Sequence, residues 1–350
     1  MHSIILCFGV DVLSKLGRNM NNRIKSLDNT KWILTLLICL YHIQFMGDEK
    51  YSTLFYWVKD LGNCVVQVFS LISGFLFFRN IRNLADVRDR AIKKYTALFI
   101  PFILWNIINY SINTLIDTHS IKAILENCDF ENYILKGYAS PHFWYIYMLM
   151  FWAVFSPMLF FAYKDKRLLV LLFLSQIFYF VNQGNNILHS RFIYIEYTWG
   201  GLLGFYYPNI ISKLEELKGI KKKVVILCSW GVYFLTYYLH THFNIEMKFF
   251  LWIITIRAIA LFMGTIYLVP LKLGSKLNYQ YSFWLFAVHY WLDARVSTVV
   301  FKLIKFTPAY QIISFAIVVI IGLATGMFTK HFAPKIFNLL NGSRNVTKNT

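Results

Sequence analysis

The chain has 350 residues, 57% hydrophobic and only 15% charged, with a formal net charge of +18 and a mean hydropathy of +0.50. Soluble globular domains are nearer one half apolar and one quarter charged, so this composition excludes an ordinary soluble domain and points to a membrane protein. The basic balance comes without a nucleic-acid-binding motif, and Cys7, Cys39, Cys64, Cys128 and Cys228 lack the paired spacing of a disulfide framework or zinc site.

Residues 1–25 read as a cytoplasmic leader. Its opening MHSIILCFGV has no positive region before it and no small-residue cleavage site after it, which makes a poor signal peptide. Met20 opens a plausible leader of its own, so residues 1–19 are expected to be dispensable. Ten apolar runs follow, near 31–46, 54–78, 97–116, 143–163, 168–182, 192–208, 224–241, 249–271, 282–301 and 309–328. The runs 168–182 and 192–208 are near the lower limit of about 17 residues for a crossing, short enough for one of them to be re-entrant.

If all ten cross, 25 Lys and Arg residues lie on the side of the termini and 8 on the other, with Arg257 and Arg295 inside the spans. The crowded side is then cytoplasmic. The expected fold is an all-α polytopic membrane protein of about ten transmembrane helices with cytoplasmic N- and C-termini. Its parts are the leader 1–25, a membrane domain over 26–330 and a cytoplasmic tail over 331–350. The basic excess reports topology and contact with anionic membrane lipid, not nucleic acid.

The first run, LDNTKWILTLLICLYHIQF over residues 27–45, carries Asp28, Lys31, Thr35, Cys39 and His42. Eleven residues separate Lys31 from His42, about three helical turns plus roughly 20°, so the two share a face about 16 Å apart along the axis. A polar stripe on a membrane helix faces the bundle interior or a water-filled cavity. A lysine at a span's start also serves as an interfacial snorkel, and a single histidine also hydrogen-bonds a neighbouring helix; the alignment of the stripe weighs against both.

Other polar residues interrupt later runs. VFSLISGFLFFR holds Ser73 and Gly74, small residues that equally suit helix packing. YSFWLFAVHYWLDARV holds Ser282, His289, Asp293 and Arg295, the last two a possible structural ion pair or interfacial charges. Arg257 has no partner identifiable in the sequence. His240 and His242 have two-ligand spacing without a third ligand, so no metal site is expected.

Taken in order, LDNTKWILTLLICLYH, VFSLISGFLFFR, RAIKKYTALFIPFILWN, HFWYIYMLM and YSFWLFAVHYW resemble the acyltransferase 3 family of integral membrane acyltransferases, over roughly residues 26–330. The resemblance implies a ten-helix enzyme of the bacterial cytoplasmic membrane. It would move an acyl group, usually acetyl, from cytoplasmic acyl-CoA to a hydroxyl of a cell-envelope glycan or lipid-linked sugar. No permanently bound cofactor is implied; acetyl-CoA or another acyl-CoA is the donor substrate. His42 matches the family's essential histidine, and Lys93 and Lys94 match its paired basic residues. The chain departs from the pattern at Lys31, where arginine is common, and at Leu98, where a further basic residue is often found.

The roles expected from this resemblance are as follows. His42 is the general base, an imidazole being able to accept a proton near neutral pH. Arg90, Lys93 and Lys94, with Asp28 and Lys31, serve the donor and its phosphates. Ser73 and His289 orient the base or stabilise the oxyanion. His142, Trp144 and Tyr145 meet the acceptor sugar, although aromatics there also anchor a membrane interface. An acyl-histidine intermediate is an alternative course. A transporter or flippase of a lipid-linked glycan shares the size, charge asymmetry and in-membrane polar residues, and an inactive envelope scaffold is a third option.

Overall fold

A computed structural model describes residues 24–43, 61–62, 64–126, 129–181, 193–242, 247–266, 277–305 and 307–342. The dispensable segment expected over 1–19 lies outside them, as do residues 54–60 of the second apolar run. No strand occurs among the described residues.

The α-helices named among the described residues are α1 (Lys25–His42), α2 (Val65–Phe78), α3 (Leu84–Thr118), α4 (Ile121–Glu126), α5 (Trp144–Lys164), α6 (Lys166–Val181), α7 (Ile193–Tyr206), α8 (Ile210–Glu215), α9 (Gly219–His242), α10 (Met247–Thr265), α11 (Leu277–Leu303), α12 (Thr307–Phe332) and α13 (Pro334–Leu340). Each of the ten apolar runs overlaps one of them, α2 covering only the later part of the run 54–78 among the described residues. Four helical stretches among the described residues are both long and apolar enough to cross a membrane: Leu84–Thr118, Pro141–Lys164, Gly219–His242 and Pro308–Phe332. Leu227, Leu235, Ile320 and Phe328 are exposed on α9 and α12. Such outward apolar faces suit lipid rather than water.

Helix boundaries differ from the sequence expectation most at α3. The charged stretch before the third run is itself helical from Leu84, because Asn83 caps the helix by accepting a hydrogen bond from the Asp86 amide. A helix of 35 residues is about 52 Å long, against a hydrocarbon core of about 30 Å. Arg88, Arg90, Lys93 and Lys94 therefore ride on a rigid extension of the apolar segment.

Helices α2 and α7 pack backbone against backbone. Cβ atoms added at Gly200 and Gly204 would run into the carbonyls of Leu71 and Phe75, and one at Gly74 into the carbonyl of Tyr197. Small residues permit this approach, which in lipid supplies the van der Waals contact that a hydrophobic drive does not. The pairings 71 with 200 and 75 with 204 make the two helices parallel. Ser73, one residue from Gly74 and so turned about 100° from it, lines an internal cavity instead.

Part of the expected tail 331–350 is a docked helix. Trp105 Nε1 donates to the Leu340 carbonyl at 3.0 Å, Asn341 Nδ2 donates to the Gln280 carbonyl at 2.8 Å, and Phe337 stacks on Trp284. Two intramembrane arginines also gain identified partners. Arg257 on α10 is buried and donates to the Thr236 carbonyl of α9 at 3.0 Å. Arg295 donates to Asn113 Oδ1 at 3.0 Å and covers the Trp291 ring. In the connection between α3 and α5, hydrogen bonds from the backbone and side chain of Asn132 hold the Asp129 carboxyl below the usual carboxylate range.

Candidate active site

The stripe on α1 faces the interior, and α11 supplies a parallel partner for it. Ser282, Phe286, His289 and Asp293 recur on α11 at helical spacing. Between these helices, α2, α3 and α5 lies a cavity of about 480 Å³. Asp28, Lys31 and Thr35 line it from α1, Ser73 from α2, Arg90, Lys93 and Lys94 from α3, Tyr145 from α5, and Ser282 and Phe286 from α11.

One end of the cavity is cationic. Lys31 Nζ lies 3.8 Å from Asp28 Oδ1, an i,i+3 pair on the first turns of α1. Lys94 Nζ lies 5.5 Å from the centre of the Phe77 ring and 5.2 Å from that of Tyr197, within range of the aromatic quadrupole. Arg90 is partly committed elsewhere. Its Nη1 donates to the carbonyls of Phe77 at 2.8 Å and Arg79 at 2.6 Å, satisfying the last turn of α2. Arg90 thus joins the helix that carries Ser73 to the helix that carries Lys93 and Lys94.

Deeper in, polar groups thin out. Ser73 Oγ and Tyr145 Oη share a hydrogen bond of 3.2 Å. Phe286 forms a wall at this end; its ring centre lies 5.5 Å from that of His142 and 5.7 Å from that of His289.

Three histidines from three separate parts of the chain meet beyond that wall. The ring centres of His42 and His289 are 5.1 Å apart, and those of His142 and His289 are 5.2 Å apart. Tyr290 touches two of them, stacking on His142 and meeting His42 edge-on. His289 Nδ1 is 2.6 Å from the Phe286 carbonyl, and His142 Nε2 is 3.2 Å from the Ala287 carbonyl. A carbonyl only accepts, so each of these nitrogens carries the hydrogen. The other nitrogens, His289 Nε2 and His142 Nδ1, are left as acceptors, and both are buried without a hydrogen-bond donor among the described residues.

The sequence-derived residues therefore fall into two adjoining groups. Asp28, Lys31, Ser73, Arg90, Lys93, Lys94 and Tyr145 line the cavity. His42, His142 and His289 form the imidazole cluster. His142 is buried, inside the protein rather than at an entrance. Trp144 is 39% exposed and belongs to neither group. The sequence reading did not pick out Phe286 and Tyr290, though both lie beside His289 on α11. It also passed over Glu196, a lone carboxyl in an apolar run, which is buried and accepts a hydrogen bond from Thr255 at 2.8 Å. A charge inside a membrane segment is itself the signal that marks such a residue.

Fold and site together define a multi-pass helical membrane protein with a cation-lined cavity whose inner wall, Phe286, packs against clustered imidazoles. The chain belongs to the acyltransferase 3 family: residues 24–327 match the family's acyltransferase domain. A curated relative, "Acyltransferase MdmB" of Streptomyces mycarofaciens, is 30% identical over 97 residues, covering 26% of this chain and 25% of that protein. The matched stretch is thus about a quarter of the relative's length. No solved structure matches the chain.

Proposed function

We propose that this protein transfers a short acyl group, acetyl in the first instance, from cytoplasmic acyl-CoA to a hydroxyl of a cell-envelope glycan or lipid-linked sugar. His42 is the general base, and the enzyme works in the bacterial cytoplasmic membrane.

One observation carries this reading. A single cavity has Lys31, Arg90, Lys93 and Lys94 at one end, and the wall at its other end touches the imidazole cluster. Phosphates of a coenzyme suit the cationic end, where charge-assisted hydrogen bonds are strongest. A pantetheine arm, long and weakly polar, suits the passage past Ser73 and Tyr145.

In the transfer step the acceptor hydroxyl oxygen attacks the thioester carbon while its proton passes to His42. Collapse of the tetrahedral intermediate breaks the carbon–sulfur bond, and the departing thiolate takes that proton from His42. The His289 ring lies against that of His42, 5.1 Å between centres, and so limits how that ring can turn, a positioning role. Ser73 is near enough to Tyr145 to orient it, and either hydroxyl can donate to the developing oxyanion.

Helix directions support ten alternating crossings over the domain 26–330. The first and ninth segments, α1 and α11, run parallel, as do the second and sixth, α2 and α7. The ninth and tenth run antiparallel: Gly322 faces Leu285 and Gly326 faces Tyr281. Both parallel pairs join segments of like parity and the antiparallel pair joins segments of unlike parity, as alternation requires.

The test is release of free thiol from acetyl-CoA by the purified protein in nanodiscs, with and without an envelope glycan fraction. Thiol release stimulated by the fraction, with the label recovered on it, is the expected result. Movement of glycan across the bilayer without thiol release would make the protein a transporter instead.

A further inference from the structure

A second hollow lies outside the site just described, on the flank of the bundle. It is a groove of about 280 Å³ between α5, α6 and α7, with Leu169, Val170, Phe173, Trp199 and Leu202 on its walls and Gln176 at its deep end. The Phe173 and Trp199 rings meet edge-on across it, 6.2 Å between centres. Gln176 Nε2 is tied to Thr198 Oγ1 at 2.7 Å, which closes the floor between α6 and α7.

The mouth of the groove is basic. Lys164, Lys166 and Arg167 are all exposed at the turn from α5 to α6. On α6, Lys166 precedes Leu169 and Val170 by three and four residues, and Arg167 precedes Val170 by three, so these residues share a helix face. The one acid there, Asp165, accepts a hydrogen bond from the Arg167 amide at 2.8 Å. Three cations against one anion leave the rim net positive. The rim is also at the same end of the bundle as the cationic mouth of the cavity, since Tyr163 packs against Phe78 at the end of α2.

Depth agrees with charge. From Lys166 to Gln176 the helix rises about 15 Å, half of a hydrocarbon core of about 30 Å. The groove starts under the basic rim and ends near mid-bilayer, the dimensions of one leaflet. Val170 and Phe173 on the groove's walls are themselves exposed, as are Leu168, Leu171, Leu174 and Phe178 farther round α6, so the groove opens on the outer, apolar surface of the bundle.

We infer that this groove is a binding site for an anionic glycerophospholipid. The headgroup phosphate sits against Lys164, Lys166 and Arg167, and one acyl chain lies along Val170, Phe173 and Trp199. Basic residues clustered at the membrane surface attract anionic headgroups additively. The site is independent of the acyl-transfer chemistry.

Native mass spectrometry of the full chain, titrated separately with phosphatidylglycerol, phosphatidylcholine and a polyprenyl phosphate, tests the inference. Phosphatidylglycerol is expected to bind at least about tenfold more tightly than phosphatidylcholine. Replacing all three cations, Lys164→Gln with Lys166→Gln and Arg167→Gln, is expected to weaken phosphatidylglycerol by about tenfold or more. Val170→Trp, which fills the groove and leaves the charge untouched, is expected to weaken it as well. Equal binding of the two phospholipids, unmoved by either variant, would overturn the site. Loss with the charge variant but not with Val170→Trp would overturn the groove as the seat of the chain. Displacement of phosphatidylglycerol by equimolar polyprenyl phosphate would overturn the occupant.

Discussion

His289 and His142 face each other with ring centres 5.2 Å apart, and each has one ring nitrogen held to a carbonyl of α11, those of Phe286 and Ala287. Two adjacent carbonyls thus set the tautomers of two imidazoles, one from α11 itself and one from the turn that opens α5. The pair presents hydrogen-bond acceptors next to His42, the third ring of the cluster. His289→Ala removes the ring that packs against His42. Transfer is expected to fall by about 10²-fold, the scale on which a misplaced catalytic group loses rate, with acyl-CoA affinity changed by no more than about twofold. Single-turnover rates and donor titration separate the two effects. An unchanged rate would reduce His289 to a packing residue.

Lys31 tests the cationic end. It lies 3.8 Å from Asp28 and lines the cavity with Lys93 and Lys94. Lys31→Arg keeps the charge and adds a bidentate donor, so donor affinity is expected to hold or improve. Lys31→Ala is expected to weaken acyl-CoA binding by about tenfold or more, the worth of a hydrogen bond to a charged group. Equal affinities for the two variants would detach Lys31 from the donor.

Much of this site was legible in the sequence, for a local reason. A helix repeats every 3.6 residues, so Lys31, Thr35, Cys39 and His42 declare a common face without any knowledge of their neighbours. The ten apolar runs mark helices for the same kind of reason. What joins distant segments was not legible. His142 reaches His289 through a three-residue turn that follows the long connection from α3, and no spacing within the chain encodes that meeting. Arg257 found a backbone carbonyl, and every residue has one, so no residue type pointed to it. The double duty of Arg90, lining the cavity and closing α2, depends on how α3 crosses the end of α2.

The α2–α7 contact makes a prediction about stability. Gly200→Val or Gly204→Val pushes a side chain into the backbone of α2, where no rotamer can relieve the overlap. Either is expected to cost about 1–3 kcal/mol or more. Gly231→Ala is the control, because an added Cβ there meets nothing within 4 Å. Thermal unfolding in detergent, followed by tryptophan fluorescence, should show a lower midpoint for the first two and none for the third. Unchanged midpoints for the valine variants would contradict the close packing.

Topology has its own test. Glu215 closes α8 and Leu125 lies in the connection between α3 and α5. In whole cells, an impermeant thiol reagent is expected to label Leu125→Cys and leave Glu215→Cys untouched, in a background without native cysteines. Labelling at 215 and none at 125 would invert the bundle.

The most direct measurement compares His42→Ala with Lys94→Ala in nanodiscs, scoring acyl-CoA affinity and acyl transfer for each. His42→Ala is expected to abolish transfer while binding acyl-CoA nearly as the parent does, because it removes a proton acceptor and no phosphate contact. Lys94→Ala is expected to weaken acyl-CoA binding by roughly 10- to 150-fold. Normal transfer by His42→Ala would contradict the assignment of the base. Loss of donor binding in His42→Ala, with binding intact in Lys94→Ala, would show that the donor enters from the opposite end of the cavity.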